Sequence, residues 1–227
     1  MTPGEETIEP GVIIQGDCRE VLKTLPSGSV DFVLTDPPYF VRYRDRLGRR
    51  IRNDGAGDIQ QTLAAFPDIY RVLKPNTLCV CFYGWQAVDA FMSAWKGAGF
   101  TPVEHLVWRK RYASSTRFLK RTHEQAYVLA KGRPSLPREP LADVQPWTYT
   151  GNRSHPTEKS VDTLKPVVEL FTEPGDVVLD PFAGSGSSLV TAALLRRRYI
   201  GVELERKYCQ LARRRLGGVA RHLARGS

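Results

Sequence analysis

The chain has 227 residues, of which 41% are hydrophobic, so it can bury the core of one sizeable domain with little left over for a second. Lys and Arg number 33 against 24 Asp and Glu, and the formal net charge of +9 favours a polyanionic partner such as nucleic acid over an acidic small molecule. The sequence contains no apolar run of eighteen residues and no secretory signal pattern, so we expect a cytoplasmic protein with no membrane partner.

Short β-rich runs alternate with helical segments along most of the chain. The predicted strands cover residues 12–14, 30–34, 77–83, 103–108, 124–130, 177–179 and 199–202. The predicted helices cover residues 19–25, 59–73 with a break near Pro67, 86–97, 161–171, 187–196 and 206–216. This alternation is typical of an open, doubly wound α/β sheet of about seven strands, and we predict one domain spanning residues 1–227.

Two stretches between these elements look irregular, residues 42–58 and residues 132–156. The first is rich in arginine and the second contains five prolines, so both are predicted loops suited to DNA contacts and target recognition. A further basic cluster has Tyr112 and Phe118 interleaved and consists of Arg109, Lys110, Arg111, Arg117, Lys120 and Arg121. Trp108 or Tyr112 could line a pocket, although a tryptophan at a strand end is more often part of the core.

The four cysteines do not have the spacing of a metal site or a disulfide framework. They are Cys18, Cys79, Cys81 and Cys209. No two of them form a Cys-x-x-Cys pair, and no histidine lies at zinc-ligand spacing from any of them. We therefore expect reduced, mostly buried thiols and no bound metal.

A glycine motif between a predicted strand and a predicted helix indicates a ligand site. Its residues are Asp180, Pro181, Phe182, Ala183, Gly184, Ser185 and Gly186. Backbone amides can approach a ligand there, and the helix N-terminus favours a carboxylate or phosphate. Glu203 ends the next strand, where it can accept both hydroxyls of a ribose. The motif differs from a dinucleotide site because Leu189 stands where the third glycine would be, and it differs from a P-loop because no Gly-Lys pair follows the glycines. A glycine turn that only packs the helix on the strand remains the alternative.

A second motif, Asp36-Pro37-Pro38-Tyr39, follows another predicted strand. The exocyclic amine of a nucleobase is a poor nucleophile because its lone pair is delocalised into the ring. The Asp36 carboxylate and the Pro37 carbonyl can both accept the amine hydrogens and so localise that lone pair, while the prolines fix φ. Tyr39 offers a stacking face for a base. In isolation, this tetrapeptide is more often an ordinary Asp-Pro turn.

Together, and in this order along the chain, the two motifs resemble those of the amino-methylating DNA methyltransferases of the beta class. The resemblance covers most of the chain and implies a Rossmann-like class I methyltransferase fold with permuted motifs. It also implies S-adenosylmethionine as cofactor, with its methionine part held by residues 180–186 and in contact with Phe182, and its ribose on Glu203.

The same resemblance assigns four more cofactor residues. Gly16-Asp17-Cys18 matches the family's Gly-Asp segment, so Asp17 would receive the adenine amino group, with Cys18 beside it. Thr157 and Lys159 match a His-Pro-Thr-x-Lys segment beside the methionine end of the cofactor. If the resemblance is set aside, Asp17 reads as a possible helix cap and Thr157 or Ser160 as another. Lys159 then reads as a solvated surface charge.

The resemblance implies methyl transfer to the N6 amine of a flipped-out adenine, because Asp before Pro-Pro-Tyr goes mostly with adenine and Ser mostly with N4 of cytosine. Asp36, Pro37, Pro38 and Tyr39 are the predicted catalytic residues. N4-cytosine methylation, methylation of an RNA base or glutamine amide, and a non-catalytic DNA-binding role remain alternatives. The short recognition region predicts a short or relaxed DNA site and leaves a homodimer possible.

Overall fold

The computed structural model describes residues 11–39, 59–116, 118–149 and 158–225. The strands are β1 (Val12–Gln15), β2 (Val30–Thr35), β3 (Leu73–Phe82), β4 (Thr101–Arg109), β5 (Ser115–Thr116), β6 (Lys120–Arg121), β7 (His123–Lys131), β8 (Val144–Pro146), β9 (Val177–Asp180) and β10 (Arg198–Glu203). The helices are α1 (Cys18–Thr24), α2 (Ile59–Leu63), α3 (Phe66–Val72), α4 (Val88–Ala98), α5 (Val161–Phe171), α6 (Ser187–Leu194) and α7 (Arg206–Arg225).

Eight strands form the main sheet in the order β1-β10-β9-β2-β3-β7-β4-β8, and β5 pairs with β6 in a separate hairpin. Strand β7 runs antiparallel to both of its neighbours, while the other described strand pairs of the sheet are parallel. The predicted α/β fold and motif order are thus confirmed. The prediction of about seven strands missed β8, which lies inside the stretch 132–156 and is too short and proline-rich to show alternation.

The sheet has a hydrophobic layer on each face because its buried strands alternate their side chains. On β3, Cys79 and Cys81 face the layer packed by α1, α3 and α4, whereas Val80 and Phe82 face the layer packed by α5 and α6. Helix α7 packs beside α6 over Ile13 of β1. The result is a three-layer α/β/α arrangement.

Helix boundaries differ from the predictions at two places. The predicted helix 59–73 divides into α2 and α3, and Pro67 lies in the first turn of α3, where a missing N–H costs nothing. Helix α7 continues to Arg225 rather than ending at residue 216. Gly217 and Gly218 do not end the helix, because Val219 continues its buried apolar face beyond them.

All four cysteines are buried free thiols, as the sequence predicted. Burial raises the pKa of the Cys18 thiol to about 12, which keeps it neutral. Among the described helices, none is both long and apolar enough to cross a membrane.

Candidate functional site

The site lies where the order of the sheet reverses. Strands β2 and β9 are parallel neighbours, but the chain leads from β2 to β3 on one side and from β9 to β10 on the other. The connections therefore diverge and leave a crevice at the carboxyl ends of β2 and β9. A cleft of about 440 Å³, partly open to solvent, occupies it. Its walls are Leu34, Thr35, Asp36, Phe82, Glu158, Lys159, Leu164, Asp180, Phe182, Ala183, Gly184, Ser185, Ser187 and Ser188.

Asp36 stands at the end of β2 with both carboxylate oxygens engaged. The Tyr39 hydroxyl donates to its Oδ1 at 2.7 Å, and the Lys159 ammonium forms an ion pair with its Oδ2. Lys159 is almost fully buried, and its Nζ lies 4.1 Å from the ring centroid of Phe82. Burial first, and the Asp36 charge second, raise the pKa of Tyr39 well above its ordinary value, so its hydroxyl stays protonated and able to donate.

Gly84 is a functional neighbour of Tyr39 that sequence reasoning missed. A Cβ at Gly84 would lie 2.8 Å from Tyr39 Cβ and 2.9 Å from the Tyr39 carbonyl oxygen. The backbone after β3 therefore packs directly against the base motif, which no larger residue permits. The one signal in the sequence was a glycine two residues after a buried strand.

Asp180 ends β9 as a buried carboxylate with three donors. Its Oδ1 accepts from the Thr35 hydroxyl at 2.9 Å and the Phe182 N–H at 3.1 Å, and the Ser188 hydroxyl donates to Oδ2. Burial raises the pKa of Asp180 to about 6, although the three hydrogen bonds oppose that shift. Thr35 connects Asp180 to β2, so the two motif strands share one polar network.

The glycine loop is tied to Glu203. Glu203 Oε2 accepts the Gly184 N–H at 2.8 Å and Oε1 accepts the Glu205 N–H at 2.6 Å, while burial raises the pKa of this carboxyl. Gly186 has φ of +78° and its ideal Cβ would lie 2.8 Å from Ala212 Cβ, so this position requires glycine. Helix α6 then begins without a side-chain cap, which leaves its first N–H groups suited to an anionic ligand.

Asp17 and Cys18 lie one strand further along the same edge. Asp17 caps α1 by accepting the Arg19 N–H at 3.0 Å and forms a 2.6 Å ion pair with the Arg19 guanidinium, which lowers the pKa of Asp17. The Gly16 N–H donates to the Glu203 carbonyl at 3.0 Å, so Asp17 and Glu203 lie at adjoining strand ends. Asp17, Cys18 and Glu203 do not line the 440 Å³ cleft, and the Cys18 side chain is buried in the core.

Arg215 of α7 is a second residue that the sequence did not reveal. Its Nη1 donates to the Ser185 carbonyl at 2.8 Å and lies 3.0 Å from the Ser185 hydroxyl, and its Nη2 lies 3.2 Å from a Glu158 carboxylate oxygen. Arg215 thus joins the glycine loop to the segment before α5. Burial lowers the pKa of this guanidinium.

The remaining predicted residues have mixed outcomes. Thr157 and the stretch 42–58 lie outside the described residues. Ser160, rather than Thr157, caps α5 by accepting the Thr163 N–H at 3.1 Å. Lys159 lines the cleft but pairs with Asp36, on the base side of the site. Trp108 is fully buried and stacks on Phe82 at 4.7 Å, so it belongs to the core.

Lys110 was wrongly included in the predicted basic cluster. Its side chain is buried, its ammonium pairs with Glu124, and its Nζ lies 5.4 Å from the Trp147 ring centroid. The other described members, Arg109, Arg111, Lys120 and Arg121, are exposed. Lys110 therefore supports the interior of the region and is not available to a phosphate.

The charges of the cleft suit a ligand with a cationic centre and an anionic end. Three carboxylates, Asp36, Glu158 and Asp180, line the cleft, whereas two cations, Lys159 and Arg215, pair with Asp36 and Glu158. One negative charge is left over, at Asp180, and the uncapped start of α6 favours a carboxylate. The described residues contain no group of three or more His, Cys, Asp or Glu side chains that could hold a metal ion.

Comparison with known proteins agrees with this geometry. The DNA methylase family model for N6 and N4 enzymes matches residues 30–214. YubD, a candidate methylase of Escherichia coli (strain K12), is 53% identical over 214 residues, covering 94% of this chain and 93% of YubD.

Solved structures share the fold. M1.HpyAVI in complex with S-adenosylmethionine gives a TM-score of 0.70 at 24% identity, covering 90% of this chain and 98% of that one. The cytosine-N4-specific PvuII DNA methyltransferase gives 0.73 at 16% identity, covering 97% of this chain and 95% of that one. The match over residues 30–214 and the identity to YubD show that this chain belongs to the N6/N4 DNA methylase family, whose methyl donor is S-adenosylmethionine.

Proposed function

We propose that this protein transfers a methyl group from S-adenosylmethionine to the N6 amine of an adenine flipped out of duplex DNA. The observation that carries the proposal is the Asp36 carboxylate in the wall of the cleft that Asp180 and the glycine loop also line. An acceptor for the amine hydrogens and a loop suited to the methyl donor therefore face one space. Transfer would be one direct displacement without a covalent enzyme intermediate: the methyl–nitrogen bond forms as the methyl–sulfur bond breaks, the neutral thioether leaves, and the methylated amine loses its extra proton to solvent.

Asp36 and Pro37 act on the amine. The Asp36 carboxylate accepts one amine hydrogen and the Pro37 carbonyl accepts the other, which draws the nitrogen towards tetrahedral geometry and aims its lone pair at the methyl carbon. Lys159 holds Oδ2, so Oδ1 receives the amine once the Tyr39 hydroxyl has left it. Tyr39 then stacks on the base, with Pro38 keeping the segment rigid.

The cofactor half suits S-adenosylmethionine in charge. When bound, this cofactor supplies an electrophilic methyl group on a sulfonium cation. Asp180 would provide negative charge for that cation, and the start of α6 would provide N–H groups for the methionine carboxylate. Phe182 contributes apolar wall, while Glu203 would have to share its oxygens between Gly184, Glu205 and the ribose.

The choice of adenine rests on Asp36, through the family correlation between the first motif residue and the base. N4 of cytosine poses the same chemical problem, and the N4-specific PvuII enzyme has the same fold. Cytosine is therefore the second candidate, with an RNA base behind it. The charge of +9 supports a nucleic-acid substrate in either case. We further propose that the protein acts in the cytoplasm, either as a monomer or as a homodimer that binds around the duplex.

The experiment is incubation with methyl-labelled S-adenosylmethionine and unmodified duplex DNA, followed by digestion and separation of the nucleosides. We expect the label in N6-methyladenine. The Asp36→Asn protein, purified in parallel, keeps the size of the side chain and excludes a contaminating host methylase if its signal is lost.

Each other outcome has a definite meaning. Label in N4-methylcytosine would keep the mechanism and overturn the inference from Asp36. Label in RNA but not in DNA would overturn the substrate class. Absence of label from every nucleic acid, despite measured binding of S-adenosylmethionine, would overturn the catalytic proposal.

A further inference from the structure

A short hairpin, β5–β6, projects from the sheet edge that carries the site. Ser115 pairs with Arg121 and Thr116 with Lys120, so the described residues Phe118 and Leu119 lie at its tip. Two backbone hydrogen bonds close its base, from the Ser114 N–H to the Arg121 carbonyl at 2.9 Å and from the Lys110 N–H to the Thr122 carbonyl at 2.7 Å. The hairpin is therefore a defined structural element of the protein.

The tip presents two neighbouring apolar side chains to solvent. Phe118 is 104% exposed and Leu119 is 80% exposed. Single exposed apolar residues are ordinary on protein surfaces, but two adjacent large ones at the end of a hydrogen-bonded hairpin are apolar surface that folding leaves unburied. Such a tip could insert into a partner that has an apolar interior and can open.

The hairpin stands beside the base motif. It connects β4 to β7, whose paired ends Arg109 and His123 lie at the same sheet edge as the end of β3. The Arg121 guanidinium lies 5.5 Å from the ring centroid of Trp85, and the preceding residue, Gly84, packs on Tyr39. At about 3.3 Å per residue, the tip reaches roughly 7 Å beyond Arg121.

The positive charges beside the tip indicate which partner it binds. Lys120 and Arg121 on the hairpin, and Arg109 and Arg111 at its base, are exposed cations. Cations beside an apolar wedge match duplex DNA, which offers phosphates outside and stacked bases inside. A purely apolar partner surface would leave these cations uncompensated.

We propose that Phe118 and Leu119 form a wedge that enters the base stack next to the target and fills the gap when the target nucleotide swings out. This inference rests on the proposed function, because it concerns the access of that site to a base in a duplex. Proteins that kink DNA insert Phe or Leu between base steps in this way. The wedge assists extrusion and takes no part in methyl transfer itself.

The test uses two duplexes that share the mapped target sequence. In one the target base is paired, and in the other it lies opposite an abasic position and is already unpaired. For Phe118→Ser/Leu119→Ser, we expect kcat/KM to fall roughly 10- to 100-fold on the paired duplex and less than about threefold on the unpaired one, because extrusion is then inexpensive. With 2-aminopurine as the paired target, the double variant should give a smaller fluorescence increase on binding.

Two control variants separate this role from others. Val103→Ser also removes an exposed apolar side chain from β4, but near the opposite end of that strand, and should leave both rates unchanged. Lys120→Gln removes a charge beside the tip and should weaken both substrates equally, with a shallower dependence on salt.

Equal losses of the double variant on both duplexes, or no loss on either, would overturn the wedge. A changed sedimentation coefficient without DNA would also overturn it, since the tip would then contact a second copy of the chain. If the wild-type protein methylates DNA while the ratio of rates stays constant, the wedge alone fails. If the wild-type protein binds S-adenosylmethionine but labels no DNA, the proposed function fails and the wedge with it.

Discussion

The cofactor half and the base half of the site occupy neighbouring strand ends, yet their polar groups are held in different ways. Around Asp180 and Glu203 the donors include the backbone N–H groups of Phe182, Gly184 and Glu205, which are fixed by the fold. Asp36 is instead held by two side chains, Tyr39 and Lys159. Side-chain partners can be exchanged by rotation, whereas backbone partners cannot without refolding the loop.

This difference allows one cleft to serve two ligands. A loop fixed by its backbone is preorganised, so binding a small cofactor there costs little ordering. A carboxylate held by movable side chains can exchange the Tyr39 hydroxyl for an amine hydrogen when a base arrives. Variants of the base half should therefore change the rate of transfer, and variants of the cofactor half should change cofactor affinity and stability.

Removing the charge of Asp36 should reduce the rate of methyl transfer more strongly than any other change. Asp36→Asn keeps an oxygen for Lys159 but loses the negative charge, so we expect kcat to fall roughly 100- to 1,000-fold, as for loss of one stabilising acceptor or donor in other enzymes. The dissociation constant of S-adenosylmethionine, measured by calorimetry, should change less than about threefold. Asp89→Asn, at an exposed position of α4, is the matched control. A large loss of cofactor affinity in Asp36→Asn would contradict the division of roles.

On the cofactor side, glycine substitutions separate backbone strain from contact. Gly186→Ala forces an alanine to φ of +78° and brings its Cβ to 2.8 Å from Ala212, so the free energy of unfolding should drop by about 3 kcal/mol. Gly28→Ala has a similar φ of +65° with no atom within 4 Å and should cost only about 1 kcal/mol. Urea denaturation measures both, and equal costs would show that the contact with Ala212 is unimportant.

Stability against pH tests the buried Asp180 carboxyl. Its pKa in the folded protein is about 6, above the ordinary value of 3.8, so the folded state binds this proton more tightly than the unfolded state. The stabilisation is present below about pH 4 and is lost as pH rises through 6. The free energy of unfolding of the wild type, relative to Asp180→Asn, should fall by on the order of 2 kcal/mol from pH 4 to pH 7. A difference between the two proteins that is independent of pH would refute the buried titration.

The smallest expected effect asks to which half Lys159 belongs. Because its ammonium pairs with Asp36, Lys159→Met should lower kcat about tenfold with little change in cofactor affinity, and Lys159→Arg should restore part of the rate. Lys165→Met, on an exposed face of α5, is the control. Weaker binding of S-adenosylmethionine with unchanged kcat would return Lys159 to the cofactor role that the resemblance implies.

Much of the site could be predicted because its motifs follow strands. Asp36, Asp180 and Glu203 each end or follow a short apolar run, and the carboxyl ends of parallel strands meet at one edge of a sheet. Their proximity therefore followed from strand prediction together with local motifs. Asp17 was likewise predictable as a helix cap from its place before a helical segment.

Contacts between distant segments could not be predicted in this way. Lys159 meets Asp36 across 123 positions and Arg215 meets Ser185 across 30, and neither pairing leaves a periodic or local signal. The burial of Lys110 was also hidden, because a lysine in a basic run reads as solvated until its partner Glu124 on the next strand is known. The family resemblance assigned Lys159 to the cleft but not to its carboxylate partner.

The class of fold, the two motif loops and the chemistry they can support follow from the sequence alone, because hydrophobic periodicity, glycine and proline act over a few residues. The tertiary structure was needed to show which charges meet in the cleft, that Gly84 leaves room for Tyr39, and that Phe118 and Leu119 stand beside the base motif. Those contacts depend on the order of the strands in the sheet, which brings segments that are remote in sequence together. Local sequence patterns do not specify that order.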